Sequence, residues 1–304
     1  MNAKLTEAII ELQADIAAIE KDASLYEEIN FDSRADAIDF IDFHIIDRID
    51  GWQPDKEHDL LKHCAKKVKC ALEAVDMSMF EQLRKQIKNG MYTGSSFAEM
   101  IRKYVRTSSD GGDNIGYDNL DIFINGLLFI DAIPDPIRAL ESDMVFYQKT
   151  PARIVFEMAG LLNISQDDCF FDIGSGLGQA AILVNLISGA SSTGIEYEVA
   201  YYEYARKCAS QLNLPKVTFT NGDACKAGYS CGTVFFMYTP FEGSMLQEVL
   251  NRLQNESLKR TIRIFTYGPC SLLVGQQNWL TGLTGTGDDP YKLYEFESLH
   301  AGQY

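Results

Sequence analysis

The segment Cys169–Gln179, CFFDIGSGLGQ, constrains the fold more than any other part of the chain. Cys169, Phe170 and Phe171 read as a short buried strand, Asp172 as the acid at its tip, and Gly174, Gly176 and Gly178 as a tight turn. From Gln179 the run Ala180, Ala181, Ile182, Leu183, Val184 is apolar enough to pack a helix on a sheet. Strand, glycine turn and helix is how a doubly wound α/β sheet builds a nucleotide-type site. The glycines let backbone approach a ligand, and the helix start offers unpaired N–H groups.

The spacing discriminates between ligands. A dinucleotide pyrophosphate calls for G-x-G-x-x-G, whereas here Gln179 stands where the third glycine belongs. Asp172 lies two residues before the first glycine, so an anion would meet a carboxylate and a cation would be welcome.

Strands and helices alternate through the second half, which predicts right-handed βαβ units and a mostly parallel sheet with an antiparallel last strand. The expected strands after the first are Ser192–Glu196, Pro215–Thr220, Thr233–Met237, Thr261–Tyr267 and a closing Tyr291–Ser298. Ser271–Gly275 is the candidate for one more, and Thr281–Pro290 reads as a glycine-rich loop. Met144–Pro151 reads as extended, because a residue before proline avoids the helical region.

Residues 1–140 have a different texture and predict an all-α domain, with residues 141–304 as the α/β domain. Apolar residues spaced by three and four predict helices over 1–22, Phe31–Ile49, Lys56–Val75, Met77–Lys88, Ser95–Val105 and Asn119–Ile133. Thr107–Gly116 reads as a loop. Asp32, Asp36, Asp39, Asp42 and Asp47 lack the glycine and ligand spacing of a calcium loop and read as the wet face of a helix.

The net charge of −16 argues against nucleic acid, which needs a basic surface to displace counterions, and suits a basic partner. No run is apolar enough to span a membrane. Seven cysteines without a C-x-x-C pair suggest reduced thiols and a cytoplasmic protein. The histidines form no metal set.

D-x-G-x-G-x-G, followed 24 residues after Asp172 by Glu196 at the tip of the second strand, resembles the class I S-adenosylmethionine (AdoMet) methyltransferases. That resemblance implies a Rossmann-like fold and AdoMet as cofactor. Asp172, Gly174, Ser175, Gly176, Gly178 and Gln179 would then face the methionine part, and Glu196 the ribose. Asp223, with the backbone of Gly222 and Ala224, would bind adenine, and Tyr238 would flank the methyl group. DIGSGLGQ with upstream Tyr147-x-x-Thr150 is similar to the non-SET histone lysine methyltransferases related to disruptor of telomeric silencing. In that group the corresponding loop closes over the cofactor.

The departure is Tyr238-Thr239-Pro240-Phe241, where many N-methyltransferases carry Asn or Asp before proline-aromatic. The acceptor, a protein (lysine included) or a small molecule, is expected to pass Tyr238 and Phe241. Tyr147, Tyr238 and Tyr267 are candidate wall or base residues. The helical domain would be a substrate cap or a homodimer surface. Two other readings stand beside this one: a methyltransferase-fold adaptor without activity, and a nicotinamide-dependent oxidoreductase.

Overall fold

The computed structural model describes residues 3–106, 116–130, 132–161 and 164–299 of the 304. The chain divides into two compact units. One comprises Met1–Lys85, Glu99–Gly112 and Asp118–Leu127; the other comprises Gln86–Ala98, Asp113–Tyr117 and Leu128–Tyr304.

The first unit is helical. Its helix α1 (Ala3–Lys21) buries Ile9, Leu12 and Ile16, the stripe expected from its spacing, against Ile41, Ile45 and Ile49 and against Leu61, Ala65, Val68 and Leu72. The expected helix over Phe31–Ile49 is present with an interruption. Helix α2 (Phe31–Phe40) widens to a π-helical stretch at Ile41–Ile46 before α3 (Asp47–Asp50).

Where two helices are expected across Lys56–Lys88 there is one, α4. Asp76, at the expected break, continues the helix and pairs at 2.7 Å with Arg34, which is fully buried and also donates to the carbonyls of Leu25 and Glu27. A buried guanidinium is tolerable only with such partners. Helix α5 (Ser95–Tyr104) is where its spacing predicts.

Helix α6 (Asn119–Leu127) ends short of the Ile133 expected from the apolar run. Phe129 adopts a left-handed φ of 63° just beyond, which ends a helix whatever its hydrophobicity. The loop expected at Thr107–Gly116 lies, Gly116 excepted, outside the described residues, as does Leu162, the last residue of a helix that the apolar spacing predicts over Ala152–Leu162.

The second unit is built on a seven-stranded sheet. Helix α7 (Ala152–Leu161) precedes β1 (Cys169–Ile173), α8 (Gln179–Ser188), β2 (Ser191–Glu196), α9 (Val199–Gln211) and β3 (Val217–Asn221). Then follow β4 (Val234–Tyr238), α10 (Gly243–Ser257), β5 (Arg263–Tyr267), α11 (Cys270–Gly275), β6 (Leu280–Gly282) and β7 (Tyr294–Ser298).

The order is β3-β2-β1-β4-β5-β7-β6. β1 to β5 run parallel, and β7 is antiparallel to both β5 and β6. Phe170, Phe171, Phe235, Phe236, Ile264 and Phe265 are buried, the continuous apolar texture of strands covered on both faces.

Ser271–Gly275 is a correction. It lies in helix α11, not in a strand. Pro269 at φ −56° opens that helix, and Val274 packs into the core from it. The additional strand is β6, three residues hidden at the start of the stretch that composition reads as a glycine loop.

Because β1 lies between β2 and β4, the chain winds outward to β3 and returns. Such a reversal leaves a crevice at the carboxyl ends of the strands.

Candidate functional site at the carboxyl edge of the sheet

A cavity of about 390 Å³ opens at that crevice. Gly174, Ile195, Glu196, Gly222, Ala224 and Tyr238 line it from the sheet side. Met144, Val145, Phe146 and Tyr147 line it from an irregular segment upstream of α7, and Tyr201 and Met245 line it from α9 and α10.

The glycine turn is shaped by what crowds it. Gly176 sits at φ 51°, and a Cβ there would strike the ring of Tyr147. Gly174, at φ 80°, faces Pro240 just as closely. Glu196 ties the turn to the tip of β2. Its Oε2 accepts the N–H of Gly176 at 2.6 Å, and its Oε1 accepts the N–H of Glu198 at 2.7 Å.

Asp172 lies wholly inside, below the turn. Burial, with the Glu196 carboxylate nearby, pushes its carboxyl up to about 7, against a hydrogen bond accepted from the Ala181 N–H. Burial likewise raises Glu196 above the usual carboxylate range, opposed by the backbone N–H groups it accepts. Glu198 goes the other way. The backbone N–H groups of Ala200, Ile137 and Arg138, with the Arg138 guanidinium, outweigh its burial and hold it below that range. The cavity is therefore rimmed by carboxylates, and among its described lining residues Arg138 is the one basic side chain.

The upstream segment is strapped down at three places. The Arg138 N–H donates to Glu198 at 2.7 Å, and its guanidinium donates to the Tyr197 carbonyl at 2.6 Å and to Asn221 at 3.2 Å. Asp143 accepts from the N–H and hydroxyl of Ser244 at the start of α10, at 3.0 and 2.6 Å. Gln179 donates from Nε2 to the Thr150 carbonyl at 2.8 Å. In this way the glutamine in the third glycine's place fastens the strap to the head of α8. Between these anchors Met144 bridges Phe241, and Tyr147 lies 5.0 Å, ring to ring, from Tyr201. Its buried hydroxyl is raised well above the ordinary tyrosine range.

Tyr238 is half-buried, 4.9 Å ring to ring from Tyr267, and burial raises its hydroxyl too. Thr239 follows at φ 38°, in the left-handed region that a β-branched residue rarely adopts. Its hydroxyl donates to the Tyr267 carbonyl at 3.3 Å and accepts the Cys270 N–H at 3.2 Å, bonds that hold the strain.

Of the expected site residues, Tyr147, Gly174, Glu196, Gly222, Ala224, Tyr238 and Phe241 meet at the cavity. Asp172, Ser175, Gly176, Gly178, Gln179 and the Thr150 carbonyl form the shell beneath or beside it. Phe241 is 3% exposed and part of the core, whereas the open aromatic is Phe146, 83% exposed. Asp223 does not line the cavity. It caps the following turn through the Cys225 N–H at 2.8 Å and pairs with Lys226 at 2.9 Å. Sequence reasoning missed Arg138, Met144, Phe146, Glu198 and Tyr201 as lining residues. Only Glu198, an acid two residues beyond the strand-end acid, left a signal that could have been read.

Residues 141–261 match the family model of the histone methylation protein DOT1. Over that segment the chain is similar to a histone methylation family, in keeping with the class I methyltransferase resemblance of its glycine turn. An RNA methyltransferase from Salinibacter ruber, solved with S-adenosyl-L-homocysteine, is 24% identical over 50% of this chain and 92% of its own, with a TM-score of 0.39. A SAM-dependent methyltransferase from Thiobacillus denitrificans, also with S-adenosyl-L-homocysteine, is 20% identical over 41% of this chain and 51% of its own, TM-score 0.34. Geranyl diphosphate C-methyltransferase from Streptomyces coelicolor A3(2) is 18% identical over 38% of this chain and 45% of its own, TM-score 0.32. No curated protein matches the sequence.

Proposed function

We propose that the chain is an AdoMet-dependent methyltransferase whose cofactor occupies the cavity at the carboxyl edge of the sheet. The observation that carries this reading is Glu196: a strand-tip carboxylate on the cavity wall, bonded directly to the glycine turn. A carboxylate has about four acceptor sites, more than the backbone N–H groups of Glu198, Gly176 and Tyr197 use, which leaves room for a ribose hydroxyl.

The donor set fits the group. Carboxylates at Asp172, Glu196 and Glu198 suit a ligand bearing a sulfonium and an ammonium, and they disfavour the phosphates of a nicotinamide cofactor. Chain neighbours apart, no heavy atom of the described residues lies within 4 Å of where a Cβ at Gly222 would stand, so that side of its backbone is open to a purine edge. Ile195, Ala224 and Met245 supply apolar walls. When bound, the cofactor supplies an electrophilic methyl on sulfur.

The chain's own contribution is alignment. Glu196 would hold the ribose, the backbone of Gly174 would meet the charged end with the Asp172 carboxyl beneath it, and Tyr147 covers the turn. Tyr238, half-buried on the cavity wall, stands where an acceptor would enter. Holding the nucleophile in line with the S–CH3 bond supplies roughly 7–11 kcal/mol of the barrier reduction at best. The raised hydroxyl of Tyr238 makes it a wall or hydrogen-bond donor rather than a base at neutral pH.

The acceptor in this proposal is a protein or small-molecule nucleophile, with a basic protein favoured by the net charge of −16 and by the DOT1 likeness. Lysine is one candidate group. Against it, Tyr238-Thr239-Pro240-Phe241 offers no Asn amide to accept an amine N–H. The helical region 1–140 serves as a substrate-selecting cap or a homodimer surface, and the protein works in the cytoplasm.

The experiment is transfer of radiolabelled methyl from AdoMet to cell extract separated into protein, RNA and small-molecule fractions. Label in the protein or small-molecule fraction is expected. Label confined to RNA would overturn the acceptor assignment. Tight AdoMet binding with no label anywhere would favour the adaptor reading.

A further inference from the structure

Far from the cavity, at the opposite end of β1, two of the seven cysteines meet. The Cys169 and Cys231 sulfurs are 3.3 Å apart. Their backbones are fixed on both sides. The Cys169 N–H donates to the Thr233 hydroxyl at 3.0 Å, the Thr233 N–H donates to the Cys169 carbonyl at 2.9 Å, and the Thr233 hydroxyl donates to Asp168 at 2.8 Å. Arg260 grips the turn that carries Cys231 through the carbonyls of Gly232 and Tyr229, at 2.8 and 2.7 Å.

We infer that Cys169 and Cys231 are an oxidisable dithiol that a peroxide converts to an intrachain disulfide. A disulfide bond is about 2.05 Å long, so side-chain rotation has to bring the sulfurs together by only about 1.3 Å. The two sulfurs differ in access, which sets the order of events. Cys231 is exposed and meets the oxidant first, whereas the thiol of the half-buried Cys169 is pushed up to about 12 by burial and by its neighbour.

The Cys231 thiolate attacks one peroxide oxygen, breaking the O–O bond and forming a sulfenic acid as hydroxide leaves. The hydroxide takes a proton and becomes water. The Cys169 sulfur then attacks the Cys231 sulfur. Its proton leaves with the displaced hydroxide as a second water, and the S–S bond forms. Two thiols lose two electrons, and one peroxide becomes two waters.

The other cysteines have no such arrangement. Cys208, Cys225 and Cys270 are buried. Cys64 and Cys70 are exposed on α4, but six residues apart, on different sides of the helix. The link would close a loop across 62 positions, spanning β1 to the entry of β4, and so restrict the unfolded chain.

The test treats the purified full-length chain with hydrogen peroxide, denatures it and labels the remaining thiols with N-ethylmaleimide. Five adducts in place of seven are expected. An unreduced tryptic peptide should join Cys169 to Cys231, and the thermal midpoint should rise by on the order of a few degrees, reversed by dithiothreitol. The Cys169→Ser variant should keep a Cys231 sulfenic acid that dimedone captures. The exposed-site variant Cys231→Ser, which leaves the core intact, should keep all six of its remaining thiols. Seven adducts after peroxide, or a disulfide joining any other pair, would overturn the inference.

Discussion

Asp172 concentrates the conflict between stability and binding in one carboxyl group. Its proton is held to about pH 7 in the folded chain, against about 3.8 for a free aspartate. The folded state therefore binds a proton that the unfolded state has released between those values. The group's contribution to stability falls as pH rises from about 4 to about 7 and is level above, a loss on the order of a few kcal/mol. Asp172→Asn keeps an acceptor for the Ala181 N–H and removes the buried charge. It should raise the ligand-free thermal midpoint at pH 8 while weakening AdoMet at least tenfold, measured by calorimetry. In the wild type, AdoMet affinity should climb between pH 6 and 8 as Asp172 ionises, and the variant should lose that climb.

Glu196 behaves differently, because it already holds the N–H groups of Gly176 and Glu198. Glu196→Ala should weaken AdoMet at least tenfold, since hydrogen bonds to a charged group are worth about 1.5–3 kcal/mol. It should also lower the ligand-free midpoint, because two buried donors lose their partner. An unchanged dissociation constant would make Glu196 purely structural.

At the scale of elements, the strap over the cavity depends on a few long-range bonds rather than on regular structure. Arg138→Ala removes the guanidinium bonds to the Tyr197 carbonyl and Asn221. It should weaken AdoMet severalfold and speed proteolysis within residues 132–150, with little change in the sheet's thermal unfolding. Equal protection in variant and wild type would mean the strap is held elsewhere. This also explains what the residues disclosed in advance. The glycine turn, Glu196 and the positions of β1 to β5 along the chain could be read because short buried runs leave a local pattern. Arg138, Met144 and Phe146 could not, because an irregular strap has no period and its anchoring partners are 29 to 102 positions away. β6 escaped because three residues, one of them glycine, carry no strand signal. Ser271–Gly275 read as a strand because a short apolar run fits either state, and the proline ahead of it decided for helix.

For the molecule as a whole, the charge of −16 and the carboxylate-rimmed cavity act in the same direction. If the acceptor is a basic protein recruited electrostatically, methyl transfer to it should fall as salt rises from about 50 to 200 mM, because screening shortens the reach of surface charge to about a Debye length. A salt-independent rate would point to a small-molecule acceptor. The most direct test of the central claim is a calorimetric titration of the full chain at pH 8, with AdoMet and NADH in parallel. The account predicts one AdoMet site per chain at micromolar affinity and no heat from NADH. Binding of NADH without binding of AdoMet would contradict it.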